Sequence, residues 1–220
     1  MRPALRERVR YWLVLSIYDL KPAFQRLLRP LAGGLVRAGV SPNAVTAAAL
    51  AGSLALGAAL FAWPNRRALL LALPAWLIVR MALNALDGMM AREHGLATPA
   101  GAVLNELGDA LADLGLYLPL ARIAPGVPGI ALLAVLFASG AVLTELSGLL
   151  GPLLGGPRRY DGPFGKSDRA FAVGALALAI GLWPVAGQAL RPFLAIGVAL
   201  LALTCWNRAR GAIAVAAPRG

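Results

Sequence analysis

Cysteine and histidine occur once each in the 220 residues, at Cys205 and His94. A single cysteine excludes a disulfide framework or a cysteine metal site within one chain, and Cys205, inside an apolar run, reads as a small buried hydrophobe. Charge is also scarce. Charged residues make up 14% of the chain against 59% apolar, with a mean hydropathy of +0.71, which excludes an ordinary soluble domain and leaves lipid as the surrounding medium. The opening MRPALRERVRYW lacks a continuous apolar core followed by a small-residue cleavage site, so no removable signal peptide is expected. Internal repeats and low-complexity tracts are absent too, and the chain reads as one domain. No nucleic-acid-binding motif accompanies the net charge of +11, so no nucleic-acid partner is expected.

What the chain has is long apolar runs. A membrane-crossing helix needs roughly 20 mainly apolar residues, and six segments meet this: 44–63, 68–87, 101–121, 129–150, 170–187 and 192–207. The third is the weakest, because Glu106, Asp109 and Asp113 interrupt it. Short connections, PNRR at 64–67 and QALR at 188–191, force adjacent helices to run antiparallel. The expected fold is an all-α integral membrane protein of six transmembrane helices. Residues 1–43 are expected to be a cytoplasmic amphipathic and juxtamembrane segment, 44–207 the membrane domain and 208–220 a cytoplasmic tail. In the first segment, Trp12, Leu13, Leu15, Ile17 and Tyr18 are too few and too flanked by charge to span, and Pro22 and Gly33-Gly34 are the expected helix breaks.

Basic residues set the orientation. With both termini in the cytoplasm, sixteen of the 21 Lys and Arg lie on that side and four on the other, with Arg80 inside a span. The positive charge thus orients the chain and attracts it to anionic lipid. Trp63 and Trp183 read as interface anchors and His94 as a surface residue.

The scarce acids are concentrated. Between Asn84 and Asp113 lie two asparagines, two glutamates and three aspartates, at the cytoplasmic ends of the second and third spans. Gly101, Asn105, Asp109 and Asp113 recur every four residues and form one stripe. At about 100° per residue, Glu106 shares that broad face. Asn84, Asp87, Gly88 and Ala91 share a face of the second span. Each charge in a membrane helix costs roughly 2.5–3.5 kcal/mol, so the cluster needs a cation. Arg80, one turn above Asn84, can pair with Asp109 or Asp113, but one arginine does not neutralise Asp87, Glu106, Asp109 and Asp113 together. A hard divalent cation, Mg²⁺ or Mn²⁺, takes such oxygen ligands. Gly88, Ala91 and Gly101 would let a phosphate approach, or serve tight helix packing.

The spacing N-x2-D-G-x2-A-R-x8-G-x3-N-x3-D over Asn84–Asp109 resembles the signature of the CDP-alcohol phosphatidyltransferases, D-x2-D-G-x2-A-R-x8-G-x3-D-x3-D. Pro42-Asn43 and Thr46 are similar to that family's P-N-x-x-T ahead of the first span, and the resemblance covers residues 40–207. It implies a membrane enzyme of phospholipid synthesis that moves a phosphatidyl group from CDP-diacylglycerol to an alcohol with release of CMP. It further implies one or two Mg²⁺ or Mn²⁺ ions, a homodimer and, for this bacterial subgroup, the inner membrane. Asp87 is implied as the shared metal ligand and Asp109 as both ligand and base. Asn84 and Asn105 depart from the pattern, stand where aspartates are expected, and would ligate through carbonyl oxygens. Glu106 and Asp113 are candidates to restore the lost charge. Pro42, Asn43, Thr46, Gly88, Ala91, Gly101 and Arg92 are implied at the liponucleotide.

The loop GGPRRYDGPFGKSDR adds Arg158, Arg159, Lys166 and Arg169 beside the site, either as ordinary cytoplasmic-side charge or as an anion pocket at the start of the fifth helix, where free N–H groups favour a phosphate such as that of a phosphorylated polyol. The acceptor alcohol stays open at this point. Glu145 reads as a partner for Arg or Lys, or as a wall of the site. Two other readings remain: a catalytically silent homologue, and a small cation-coupled carrier. The carrier is disfavoured because the polar cluster sits at one membrane face and no repeat is visible.

Overall fold

The computed structural model describes residues 21–216, all helix and connections with no strand among them. The expected amphipathic start at Trp12–Tyr18 lies outside the described residues. Seven α-helices follow in order: α1 Lys21–Arg37, α2 Pro42–Ala62, α3 Arg67–Glu93, α4 Pro99–Tyr117, α5 Ile130–Leu153, α6 Lys166–Leu182 and α7 Leu190–Ala216. Short 3₁₀ turns at Leu118–Arg122 and Pro184–Ala189 follow α4 and α6.

Two helix starts are built the same way. Ser41 and Thr98 precede prolines, and each side-chain oxygen accepts from the backbone N–H three residues on, Ala44 at 3.2 Å and Gly101 at 3.0 Å. The hydroxyl satisfies one orphan N–H, and proline fills a position whose missing N–H costs nothing. α2 and α6 both end at a tryptophan, Trp63 and Trp183, exposed beyond the last turn as interface anchors would be.

Four helical stretches are long and apolar enough to cross a membrane: Pro42–Ala62, Arg67–Glu93, Ile130–Leu153 and Pro184–Val215. α4 and α6 match the third and fifth expected spans but carry the charges. α4 holds Glu106, Asp109 and Asp113, and α6 has 17 residues with Lys166, Asp168 and Arg169 in its first turn. Their polar groups face inward, where partners wait, and Leu107, Leu111, Phe171 and Leu178 face out. Large apolar side chains such as Ile78, Leu132, Leu146 and Ile196 continue that exposed surface around the bundle, as lipid contact demands.

The helices pair as α2 with α3 and α4, α3 with α6, α4 with α5, and α5 with α7. The main core joins Leu60, Leu73, Leu116, Phe137, Val173 and Leu194, with Tyr117 edge-on to Phe137 at 5.4 Å between ring centroids. Small residues let backbones touch: a Cβ on Gly57 would sit 2.0 Å from the Gly115 carbonyl oxygen across α2 and α4.

Two boundaries differ from expectation. α1 runs unbroken through Gly33-Gly34 to Arg37, because Ala32, Leu28, Leu35 and Val36 pack against Leu86, Met89 and Met90 of α3. That burial offsets the cost of two helical glycines, roughly 1 kcal/mol each. α7 runs to Ala216, past the expected tail boundary at 207, because Arg208 is buried and donates to the carbonyls of Thr144 and Asp161.

Two glycine substitutions test the packing. Gly57→Val drives a side chain into the Gly115 carbonyl and should cost about 1–3 kcal/mol or more. Gly34→Ala, with open space around its Cβ, should be neutral or stabilise by about 0.5–1 kcal/mol. Thermal unfolding in detergent followed by size-exclusion chromatography reads both, and equal melting points for the two variants would contradict the close α2–α4 contact.

Candidate active site

α3 and α4 descend to the same end of the bundle, which brings the motif's two halves face to face. Their polar residues pair reciprocally. Asn84 of α3 donates its amide to Asp109 Oδ1 of α4 at 2.9 Å, and Asn105 of α4 donates to Asp87 Oδ2 of α3 at 3.3 Å. Four aspartates placed there would repel one another. Two amides turn the same four positions into two neutral–anionic hydrogen-bonded pairs.

Asp87 is buried, and its Oδ2 also accepts from the Thr46 hydroxyl at 2.7 Å. Thr46 is thereby tied to the motif through Asp87. Asn43 stands beside Gly101: a Cβ on Gly101 would lie 2.5 Å from Asn43 Oδ1, so only glycine fits there without displacing the asparagine. Gly88 is covered by its own helix's Arg92, whose guanidinium would lie 3.0 Å from a Cβ at that position. Pro42 begins α2 beside these residues, and Ala91 lies one turn beyond Asp87 on α3.

Asp109 is partly open, with its side chain 20% exposed, and three donors converge on it. Lys166 Nζ contacts Oδ2, Asn84 contacts Oδ1, and Arg80 Nη2 lies 3.3 Å from Oδ1 while also bonding the Asp109 carbonyl at 3.1 Å.

Asp113 lies deeper and is clamped. Arg80 Nη1 is 2.6 Å from one oxygen and Arg169 Nη2 is 3.0 Å from the other, with side-chain exposures of 4% and 0% for the two arginines. Arg169 donates further to Thr144 Oγ1 at 2.8 Å and Glu145 Oε1 at 3.1 Å. Arg169 was expected to line an anion pocket, but the structure buries it as a crosslink between α4, α5 and α6. Glu106, the other supplementary metal candidate, takes Arg158 on both oxygens. Glu106 and Asp113 therefore serve arginines. Sequence reasoning did not reach the roles of Thr144 and Arg208, and it put Arg158 in an anion pocket where the structure sets it on Glu106. Only Glu145, a lone acid in an apolar span, marked where such partners converge.

Among the described residues no three His, Cys, Asp or Glu side chains gather as a metal site. Two of the four motif positions are amides, and Asp109 is engaged by cations. One observation does fit a metal: Asp87 Oδ1 is buried without a hydrogen-bond partner. An unpaired buried carboxylate oxygen is costly unless a cation arrives, and the oxygen donors around it, Asp87 with Asn84 and Asn105, suit Mg²⁺ or Mn²⁺.

No family model matches the chain. The inner membrane protein YnbA of Escherichia coli strain K12 is 42% identical over 203 residues, covering 92% of this chain and 99% of that protein. Phosphatidylinositol phosphate synthase of Mycobacterium marinum is 40% identical over 93 residues, which cover 42% of this chain and 38% of that protein. The crystal structure of Mycobacterium tuberculosis phosphatidylinositol phosphate synthase with CDP-DAG bound superposes with a TM-score of 0.71 at 24% identity, over 85% of this chain and 94% of that one. The same enzyme in complex with manganese and citrate gives a TM-score of 0.70, over 84% and 88%. At that identity the two structures establish a common fold.

The clamp on Asp113 predicts a stability defect. Asp113→Asn removes the carboxylate shared by two buried guanidinium groups, leaving Arg80 only Asp109 and Arg169 only Glu145, and should cost about 3–5 kcal/mol. Replacing the triad together, by Asp113→Leu with Arg80→Met and Arg169→Met, should recover part of that loss, since a buried ion network replaced as a unit is tolerated better than a broken one. A melting temperature for Asp113→Asn equal to that of the parent protein would refute the role.

Proposed function

We propose that the chain, which is 42% identical to the inner membrane protein YnbA and shares a 93-residue stretch with phosphatidylinositol phosphate synthase, is a CDP-alcohol phosphatidyltransferase that transfers a phosphatidyl group from CDP-diacylglycerol to an alcohol and releases CMP. The observation that carries this reading is the reciprocal pairing of Asn84 with Asp109 and Asn105 with Asp87, which holds the family motif assembled although two aspartates are missing. All six helices α2–α7 cross the inner membrane, with both termini and the site on the cytoplasmic side, and two copies associate as a homodimer. The cytoplasmic position follows from the sixteen-to-four distribution of basic residues.

Asp109 is the general base. The acceptor oxygen bonds to the phosphorus that carries diacylglycerol, the pyrophosphate P–O bond breaks, CMP departs, and the acceptor proton passes to the Asp109 carboxylate. Lys166 reaches Asp109 on a flexible stem, and its ammonium pairs with pyrophosphate when the liponucleotide arrives. Arg92, folded over Gly88 at the membrane surface, binds phosphate, and the close approach of Asn43 to Gly101 shapes the nucleotide side of the cleft. Thr46 fixes the rotamer of Asp87. Arg169, through Asp113, holds α4 so that Asp109 faces the cleft.

Asp87, Asn84 and Asn105 would hold a divalent cation, with Asp109 as the fourth motif position. When bound, such an ion neutralises pyrophosphate charge and stabilises the leaving CMP. Only two of the four positions are anionic and Lys166 already faces Asp109, so one ion per chain is the expected load.

Purified protein in nanodiscs should release CMP from CDP-diacylglycerol with Mn²⁺ or Mg²⁺ and an acceptor, and not without metal. Asp109→Asn should lower the rate about 10²–10⁴-fold, the usual contribution of a general base. No release with any acceptor in a panel that includes glycerol, inositol, serine, glycerol 3-phosphate, inositol phosphate and phosphatidylglycerol would replace this reading with a silent homologue. A Mn²⁺ titration followed by electron paramagnetic resonance should show one site per chain, lost in Asp87→Ala. Two sites of equal affinity would overturn the single-ion load.

A further inference from the structure

Glu106 stands three residues before Asp109 on α4, with its side chain 31% exposed. The connection between α5 and α6 lays Arg158 onto it. The guanidinium meets both carboxylate oxygens fork on fork, the outer contact at 3.0 Å, and reaches on to Glu145 Oε2 at 3.4 Å. The connection is itself pinned: Phe164 N donates to Thr204 Oγ1 at 3.1 Å, and Gly162, at φ +121°, leaves no room for a Cβ against Thr204. Arg158 is thus held in place from both sides.

The other cations of the network are also committed. Lys166 contacts Asp109. Arg80 and Arg169 are buried on Asp113. Arg208 is buried on the Thr144 and Asp161 carbonyls, with Glu145 3.8 Å away. With Arg158 these make five cations paired with four carboxylates, Glu106, Asp109, Asp113 and Glu145, while Asp87 takes Thr46 and Asn105. A phosphorylated acceptor approaching Asp109 past the partly exposed Glu106 would have to pull Arg158 away from it. That breaks a bidentate charge-assisted pair and leaves a carboxylate beside a phosphate dianion in a partly dry space. An acceptor without phosphate meets no such obstacle, because its hydroxyls can donate to Glu106 and accept from Arg158. Unpaired charge set against the wrong ligand is a general route to specificity.

We propose that Glu106, clamped by Arg158, determines acceptor specificity, so that the alcohol used by this chain carries no phosphate. The inference rests on the transferase reading and narrows its substrate class.

Two measurements on the full chain in nanodiscs test it. In the first, Mn²⁺-dependent CMP release is compared for glycerol and inositol against glycerol 3-phosphate and inositol phosphate. In the second, inorganic phosphate is titrated calorimetrically into the metal-free protein. In the parent protein an unphosphorylated alcohol should stimulate release at least about tenfold more than its phosphorylated counterpart, and phosphate should not bind at Arg158. Glu106→Gln frees the guanidinium, so phosphate binding should appear and the acceptor ratio should move about tenfold or more toward the phosphorylated alcohol. The double variant Glu106→Gln with Arg158→Met should lose the acquired phosphate binding. Preference of the parent protein for a phosphorylated acceptor would overturn the inference while leaving the transferase reading intact, and needs no variant to fold. Phosphate binding by the parent protein that disappears in Arg158→Met would overturn it as well. CMP release with no acceptor at all would fell the transferase reading, and the phosphate titration would still decide whether Glu106 masks Arg158.

Discussion

The buried triad Arg80–Asp113–Arg169 is the constraint on which the rest depends. It crosslinks α3, α4 and α6 through charges that the membrane interior would otherwise reject. A lone ion in that setting is prohibitive, and each member is tolerated only because the other two are in place. Arg80 also bonds the Asp109 carbonyl one turn away, so the clamp that closes the bundle sets the height and rotation of the carboxylate facing the cleft. Because α4 carries too much charge to hold its place by apolar contact with lipid alone, this clamp fixes it in the bundle.

Above the triad, the motif's two halves are held by softer bonds. Asn84 and Asn105 each lend an amide to the opposite helix's aspartate, so the two departures from the aspartate pattern form a matched pair of bonds. Replacing one aspartate by asparagine would leave a carboxylate pair on one side and an unbalanced amide on the other. Replacing both gives two matched contacts and lowers the negative charge by two. The consequence is a site with less electrostatic demand for metal, and with a lysine, Lys166, already at Asp109. Asp87 Oδ1 is the exception, a buried oxygen without a protein partner, and it is where a cation gains most.

Much of this was legible beforehand because membrane sequences are constrained by two simple requirements, length and charge. Apolar runs located all six long helices after α1, and the four-residue spacing placed Asn105, Asp109 and Asp113 on one face. The place of Arg80 one turn above Asn84 led to an expected pairing with Asp109 or Asp113, and it contacts both. What could not be read was who meets whom across helices. Arg169 looked like an anion ligand because a basic residue at a helix start often is one, yet tertiary packing buried it against Asp113. Arg158, in a loop with no periodicity, gave no hint that it would reach back to Glu106. Gly33-Gly34 looked like a break because local propensity says so, and contact with Leu86 and Met90 of α3 overruled it.

The two halves of the ion network differ in exposure, and that difference separates their roles. Asp113, Arg80 and Arg169 are closed to solvent, so their pairing contributes to every conformation of the folded chain and is insensitive to what enters the cleft. Glu106, Arg158, Lys166 and Asp109 have side chains between 20% and 31% exposed, so water and substrates reach them and their pairing competes with ligands. Screening weakens such half-open pairs but does not abolish them, which leaves each near the balance point where a ligand's own charge decides the outcome. Lys166 can release Asp109 to a pyrophosphate because Asn84 and Arg80 still hold the carboxylate, whereas Glu106 is held by Arg158. Arg158 cannot make the same exchange without stranding Glu106 beside the incoming phosphate. The same chemistry at two neighbouring positions thus admits the liponucleotide and filters the acceptor.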